Sequence, residues 1–322
     1  MSLELQQVCI NAVRAGCRVA SLAQKDWLGR SVTKQDQSPV TVADFAVQAV
    51  VSFHLFRSLP SAKLVAEETR ETFLSLSPQQ LEECLARVQS EVPELDSVDK
   101  IAAVIARGGF ENLPSQREAC FILDPIDGTK GFIRGEQYAI CLGQLSAEGE
   151  PTVGVIGCPN LCGESTNEIG FLFEAQVGLG GTRIRTLRDN HVLMEITHPM
   201  SDKVVFAESY ESSHTVQDVH SKLHRAFGIG DKAVIRVDSQ VKYALLVRGD
   251  CTVYPRCTGY DQCIWDVLPG AVILQQAGGK LTDEWGFKLN FKTGRVVQRH
   301  TLLATSSLDA ELHNRVLRTI NE

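Results

Sequence analysis

The run Ala119-Cys120-Phe121-Ile122-Leu123, followed at once by Asp124-Pro125-Ile126-Asp127-Gly128-Thr129, constrains this chain more than any other stretch. A short, continuous apolar run bounded by turn residues predicts a buried β-strand, here stopped by Asp124-Pro125. Strand ends that open onto loops are where α/β proteins place their chemistry. Two carboxylates three positions apart across a proline-set turn point into one cleft. Unpaired, they repel and one pKa rises. A hard divalent cation removes that penalty, and Mg²⁺ prefers oxygen ligands in near-octahedral geometry. The carbonyl of Ile126, between them, offers a further oxygen. Gly128 lets the chain turn tightly. Thr129 then supplies a hydroxyl, with backbone N–H groups free to hold a phosphate oxygen. A lone Asp-Gly is an ordinary turn former; the whole run behind an apolar strand is not.

Around this segment the pattern is mixed in the first half and more regular in the second. Leu5, Val8, Cys9, Ala12, Val13, Gly16, Val19, Ala20 and Ala23 recur at helical spacing and predict a helix over 3–27. Thr41-Val42-Ala43-Asp44 resembles a capping box, with Asp in place of the usual Glu, opening a helix that runs to about Arg57. Lys63–Ala66 reads as a strand ending in Glu67-Glu68, and 78–90 and 97–107 read as helices. Tyr138–Ser146, Pro151–Cys158 and Gly170–Gln176 read as strands, the last followed by a glycine-rich turn at 178–181. Beyond the polar stretch His191–Ser201, strands are expected at 204–207, 234–237, 251–254, 280–282 and 302–305. Helices are expected at 215–227, 239–247, 266–276 and 308–320. The fold class is therefore α/β, with an α+β first half and an α/β second half on a mostly parallel sheet. The expected division is 1–195, carrying most metal ligands, and 196–322, carrying most substrate contacts and one metal ligand.

Composition narrows the function class. The 322 residues are 43% hydrophobic and 22% charged with net charge −7, an ordinary soluble balance with no basic face for nucleic acid. Ten cysteines without a Cys-x-x-Cys pair read as buried free thiols in a reducing compartment, not as a zinc site. No basic-then-apolar leader and no apolar run near the ~18 residues that span a bilayer are seen. A cytoplasmic or nuclear monomer with a small-molecule ligand is expected, with neither nucleic acid nor membrane as partner.

Three further carboxylates stand out by context. Glu67 ends a strand, while Asp44 and Asp266 sit where helices begin. Each alone has a bland account, as surface charge, dipole partner or N-cap; it is their joint occurrence that carries weight. Ala66-Glu67-Glu68, then Asp124–Thr129, then Trp265-Asp266 with Gly270 and Gly278-Gly279, is the ordered signature that resembles the lithium-sensitive, magnesium-dependent phosphatases of the inositol monophosphatase and fructose-1,6-bisphosphatase type. Lys130-Gly131-Phe132 and Arg134–Ala139 look like the 3′(2′),5′-bisphosphate nucleotidase branch of the salt-tolerance type. Gly157–Leu161, Ser212-Ser213-His214 and Asp238–Tyr243 agree with it.

The resemblance implies a layered αβαβα sandwich and two or three Mg²⁺ ions, with inhibition by Li⁺. It implies hydrolysis of the 3′-phosphate of 3′-phosphoadenosine 5′-phosphate to AMP by in-line attack of a metal-activated water, with the phosphosulfate analogue as a further substrate. Carried over, Glu67, Asp124, Asp127, Asp266 and the Ile126 carbonyl hold the metals. Asp44 and Thr129 position and deprotonate the water. His214, Ser239, Lys242 and Arg256 contact the nucleotide, with Thr129 and Asp266 close by. Tyr254-Pro255-Arg256-Cys257 departs from the family's more usual Tyr-x-Arg-x-Pro run. Two other functions share these residues: an inositol phosphate phosphatase acting on the 1-phosphate or 1,4-bisphosphate, and a catalytically silent sensor of the bisphosphate nucleotide.

Overall fold

Apolar residues at helical spacing put α1 at Ser2–Leu28, and α2 follows at Ser38–Ser58. The computed structural model describes residues 2–29, 38–109, 118–163, 167–210, 217–230, 233–297 and 300–322. Helix α2 begins three residues before the expected Thr41, because proline is tolerated in a first helical turn and Pro39 falls there. Asp44 thus lies six residues inside the helix, in its second turn, rather than at its start. After β1 (Lys63–Ala66) come α3 (Arg70–Leu74), α4 (Pro78–Glu91) and α5 (Val98–Ala106), capped by Thr69, Ser77 and Ser97 respectively. The short α3 was not expected from the sequence.

The strand at the centre of the sequence argument, β2, runs Cys120–Asp127, through Asp124-Pro125 rather than stopping there. Helix α6 (Thr129–Arg134) follows, then an antiparallel run of β3 (Ala139–Leu145), β4 (Pro151–Cys162), β5 (Ile169–Gln176), β6 (Thr182–Thr186) and β7 (Val192–Ile196). These form one seven-stranded sheet in the order β1-β2-β3-β4-β5-β6-β7, with only β1 and β2 parallel. Strands β6 and β7 were missed. The apolar positions of β7 other than Ile196 are exposed, so the usual one-sided alternation is absent.

The second sheet holds β8 (Phe206–Glu208), β9 (Val234–Arg236), β10 (Val253–Cys257), β11 (Lys280–Asp283) and β12 (Thr301–Thr305) in the order β11-β12-β10-β8-β9. It is mixed, not mostly parallel: β8 pairs parallel with β9 and β10, whereas β12 pairs antiparallel with β10 and β11. Its helices are α7 (Gln217–Phe227), α8 (Val241–Arg248), α9 (Leu268–Gln276) and α10 (Leu312–Asn321).

Alternation of side chains along the strands sorts the core into layers. Phe121, Leu123, Ile140, Leu142, Val153 and Val155 pack against α1, α2, α4 and α5. Their neighbours Cys120, Ile122, Cys141, Ile156 and Phe173 face the other way, onto α8 and α9, which also meet Tyr254, Leu302 and Ala304 of the second sheet. Phe206, Val253 and Leu303 turn outward onto α7 and α10. The order is helices, sheet, helices, sheet, helices, the expected αβαβα sandwich. The middle helices lie close to the first sheet. A Cβ on Gly154 of β4 would stand 2.5 Å from the Pro269 carbonyl oxygen of α9, so only glycine fits there. All ten cysteines are free, eight of them buried, with Cys263 half-buried and Cys162 exposed. Among the described residues no helix is long and apolar enough to cross a membrane.

Candidate functional site

Parallel pairing of β1 with β2 sets Ala66 beside Leu123, so Glu67 and Asp124 emerge together at the same end of the sheet. In a regular strand, residues three apart face opposite sides. Here Asp124 pairs with Cys141 and Asp127 with Ala139, so β2 spends three steps where β3 spends two. That extra residue is a β-bulge at Pro125-Ile126, a place where a missing N–H is harmless. The bulge returns Asp127 to the side of Asp124. Carboxylate oxygens of Asp124, Asp127 and Asp266 lie within 4.8 Å of one another.

These groups line a cleft of about 300 Å³ between the sheets. Its walls include Glu67, Asp124, Ile126, Asp127 and Thr129 from the first half and Ser239, Lys242, Arg256 and Asp266 from the second. A larger space of about 430 Å³, floored by Cys120, Ile122, Leu145 and Phe291, is mostly apolar and gathers no comparable charge. The sequence-identified site is thus assembled with two exceptions. Asp44 is buried behind the cleft, close enough for its carboxyl to feel Glu67 and Glu68. No side-chain hydrogen bond joins it to Thr129, which is exposed as the first residue of α6. His214 lies outside the described residues.

Burial and mutual repulsion dominate the electrostatics. Burial, and then Glu67 and Asp127, hold Asp124 well above the usual carboxylate range. Burial, then Asp266, lifts Glu67 to about 8 and Asp127 to about 6, with Arg256 and Lys242 pulling Asp127 back down. Burial, then Glu67, likewise raises Asp44. Oδ1 of Asp124 and Oδ1 of Asp44 are buried without a hydrogen-bond partner. Such atoms are costly unless something binds them.

The opposite wall is cationic. Lys242 is 2% exposed, and its Nζ donates to the Val237 carbonyl at 2.8 Å. Burial lowers its pKa to about 8 while Asp127 raises it. Arg256 donates from Nη2 to Asp266 Oδ2 at 2.9 Å and from Nε to Gln262 Oε1. The altered Tyr-Pro-Arg run therefore still aims its guanidinium into the cleft. Asp266 is not an N-cap. It closes a 3-10 turn at Ile264–Asp266, α9 starts two residues later with Pro269 in its first turn, and its carboxylate is committed to Arg256.

Gln240 is the residue that sequence reasoning passed over. It is fully buried. Its backbone N–H donates to Asp127 Oδ2 at 2.6 Å, its Nε2 to the Trp265 carbonyl at 2.8 Å, and its Oε1 accepts from Gly270 N at 2.9 Å. One residue, through its backbone N–H on one side and its side-chain amide on the other, thus ties the Asp127 carboxylate to the turn that bears Asp266. Ser239 sets this up with a left-handed backbone, φ +70°, its Oγ accepting from Val241 N at 3.2 Å. The only available signal was the polar Asp238-Ser239-Gln240 before an apolar helix. Arg134 binds Asp238, which lines the cleft, and lies 4.7 Å over the Tyr210 ring.

The pattern of the inositol monophosphatase family matches residues 2–322. The chain belongs to that family. The protein named 3′,5′-bisphosphate nucleotidase 2 in Arabidopsis thaliana is 36% identical over 336 residues, covering 97% of this chain and 95% of that one. The 3′(2′),5′-bisphosphate nucleotidase of Oryza sativa is 36% identical, covering 92% and 88%. That of Schizosaccharomyces pombe is 31% identical, covering 92% and 89%. Among solved structures, the Anabaena inositol monophosphatase superposes with a TM-score of 0.60 at 20% identity, covering 100% of this chain and 97% of that one. Staphylococcal IMPase-II superposes at 0.61 and 14%, covering 99% and 94%. At those identities the structural likeness speaks to the fold.

Proposed function

We propose that this chain is a magnesium-dependent phosphatase that removes the 3′-phosphate of 3′-phosphoadenosine 5′-phosphate, leaving AMP, and that also accepts 3′-phosphoadenosine 5′-phosphosulfate. The observation that carries this reading is a single cleft that gathers Glu67, Asp124, Asp127 and Asp266 beside Lys242 and Arg256. The nucleotidase names of relatives 31–36% identical over nearly the whole chain support the same substrate.

The donor set fits Mg²⁺. It is all oxygen, crowded with like charge, and includes the orphaned Asp124 Oδ1. Glu67, Asp124, Asp127, Asp266 and the Ile126 carbonyl would hold the ions. When bound, the metal supplies charge neutralisation and polarisation of water and phosphate oxygens. The protein's own groups do the rest. Asp44, whose carboxyl has a raised proton affinity, suits a base acting with the Thr129 hydroxyl on the attacking water; such contacts commonly tighten only with substrate present. Ser239, Lys242, Arg256 and His214 would hold the nucleotide, the cations pairing with the phosphate that is kept. Positioning and electrostatics supply most of the rate, and no residue need become phosphorylated.

The test is a panel of kcat/KM values for both nucleotides, inositol 1-phosphate and inositol 1,4-bisphosphate, with Mg²⁺ and with chelator. The bisphosphate nucleotide is expected to lead, with activity lost in chelator and titrated away by LiCl. A lead for an inositol phosphate sinks the substrate assignment. Asp124→Ala is expected to abolish metal-dependent turnover, and near-normal activity would sink the site.

A further inference from the structure

Outside the catalytic cleft, one cluster of side chains has the chemistry of a different metal. Glu208 ends β8, and His220 and His224 lie one turn apart on α7. Residues at i and i+4 share one helix face, so both imidazoles reach the same point. His220 Nδ1 lies 2.8 Å and His224 Nε2 2.6 Å from one atom, Glu208 Oε1. The three candidate ligand atoms fall within 4.8 Å of one another.

Several features hold this arrangement in place. Glu208 and His220 are 7% and 6% exposed. The ring of His224 packs edge-on against Phe206 at 5.8 Å, which fixes its plane. Arg236 approaches the other carboxylate oxygen, Oε2, at 3.9 Å and leaves Oε1 to the imidazoles. His220 Nε2 is buried with no hydrogen-bond partner among the described residues. A leucine there would give the same packing without that cost. Burial of two imidazoles around one carboxylate oxygen is therefore poorly accounted for by packing alone.

We propose that Glu208, His220 and His224 form a binding site for a borderline divalent transition metal of the Zn²⁺ class, separate from the all-oxygen cage that suits Mg²⁺. Two imidazoles and one carboxylate are a zinc donor set, and imidazole discriminates strongly against Mg²⁺. Ligand atoms of a tetrahedral zinc, at about 2.0–2.2 Å from the ion, stand roughly 3.3 Å apart. The present 2.6 and 2.8 Å need to open by only about half an ångström, which side-chain rotation supplies. The ion would replace the two hydrogen bonds with coordination bonds, each neutral imidazole binding through that nitrogen and keeping its one N–H on the other ring nitrogen. Glu208 is followed by Ser209, which lines the catalytic cleft, so the site sits at the root of that wall.

The test uses the full-length protein in saturating Mg²⁺, titrated with Co²⁺ and with Zn²⁺. Co²⁺ in a nitrogen-bearing, four-coordinate site absorbs strongly in the visible, whereas Co²⁺ among carboxylates and water in octahedral geometry absorbs weakly. One equivalent of Co²⁺ is expected to give the strong band, and Zn²⁺ to abolish it. His224→Gln is expected to lose the band and weaken Zn²⁺ binding by at least about 100-fold, because even outer-shell partners are worth roughly 10–100-fold. Its thermal melt and its phosphatase activity in Mg²⁺ alone should match wild type. If that variant fails to fold, His220→Gln takes its place. Absence of the strong band in wild type, or Zn²⁺ binding equal in wild type and a folded variant, overturns the proposal. Because metal binding is read by absorption and calorimetry, this result is independent of whether the nucleotide is the substrate.

Discussion

Replacing Asp127 by Asn should make the metal-free protein more stable while destroying its response to Mg²⁺. Asn has the same shape, and its side-chain oxygen can still accept the Gln240 N–H that Asp127 Oδ2 takes at 2.6 Å. What changes is one negative charge among four. Burial, then Asp266, lifts the Asp127 pKa from 3.8 to about 6. At about 1.4 kcal/mol per pH unit, that ionised carboxylate costs the folded state up to ~3 kcal/mol, trimmed by solvent screening to about 1–2 kcal/mol at this partly buried position. The sign follows from proton binding. Between pH 3.8 and about 6 the folded state holds the proton that the unfolded state has lost, so stability falls as pH rises through that window. Below it both states are protonated and the penalty vanishes.

Thermal melts in chelator should therefore show Asp127→Asn a few degrees above wild type at pH 7.5 and level with it near pH 3.8. With Mg²⁺ the order should reverse. A ligand at 100 times its Kd adds about 2.7 kcal/mol, and the variant forfeits most of this. A variant no more stable than wild type in chelator at pH 7.5, or a gain equal at both pH values, would refute the account of a charge-strained cage waiting for cations.

Three further outcomes are expected. Gln240→Leu strands the Trp265 carbonyl and the Gly270 N–H in the core, at about 1–3 kcal/mol each, and lets Asp127 and Asp266 drift apart. Denaturant melts should fall, and the Mg²⁺ concentration for half-maximal activity should rise several-fold; unchanged Mg²⁺ dependence would deny it a positioning role. Gly128→Ala places a Cβ 2.9 Å from that of Ser239 at φ +88°, so it should lose at least ~1 kcal/mol in chemical denaturation. Arg256→Lys gives up the forked donation to Asp266 and Gln262. KM for the bisphosphate nucleotide should rise more than kcat falls, and equal KM values would remove Arg256 from the substrate wall.

Sequence and structure agree best where one segment does its work alone. Helices α1 and α4 follow from periodicity, because each buries one face against the rest of the chain whatever that rest is, and strands β1 and β4 follow from short apolar runs that are buried on both faces. The joint pattern of Glu67, Asp124, Asp127 and Asp266 names residues that the fold brings to one cleft. Agreement fails where pairing partners decide. Asp124-Pro125 reads locally as a stop, yet β3 lies alongside and carries β2 through a bulge to Asp127. Strand β7 has no buried apolar alternation to announce it, since only Ile196 is covered.

The sequence by itself determined which groups could serve a metal or a phosphate, because carboxylate, hydroxyl and guanidinium chemistry belongs to the residue and not to its place in space. Only the tertiary structure decided that Asp127 and Asp266, 139 positions apart along the chain, face each other. It decided too that Gln240 joins them, and that Glu208 gathers His220 and His224 beneath the cleft wall. Those contacts depend on strand register and helix packing, which emerge from the balance of burial over the whole core and are written in no single segment.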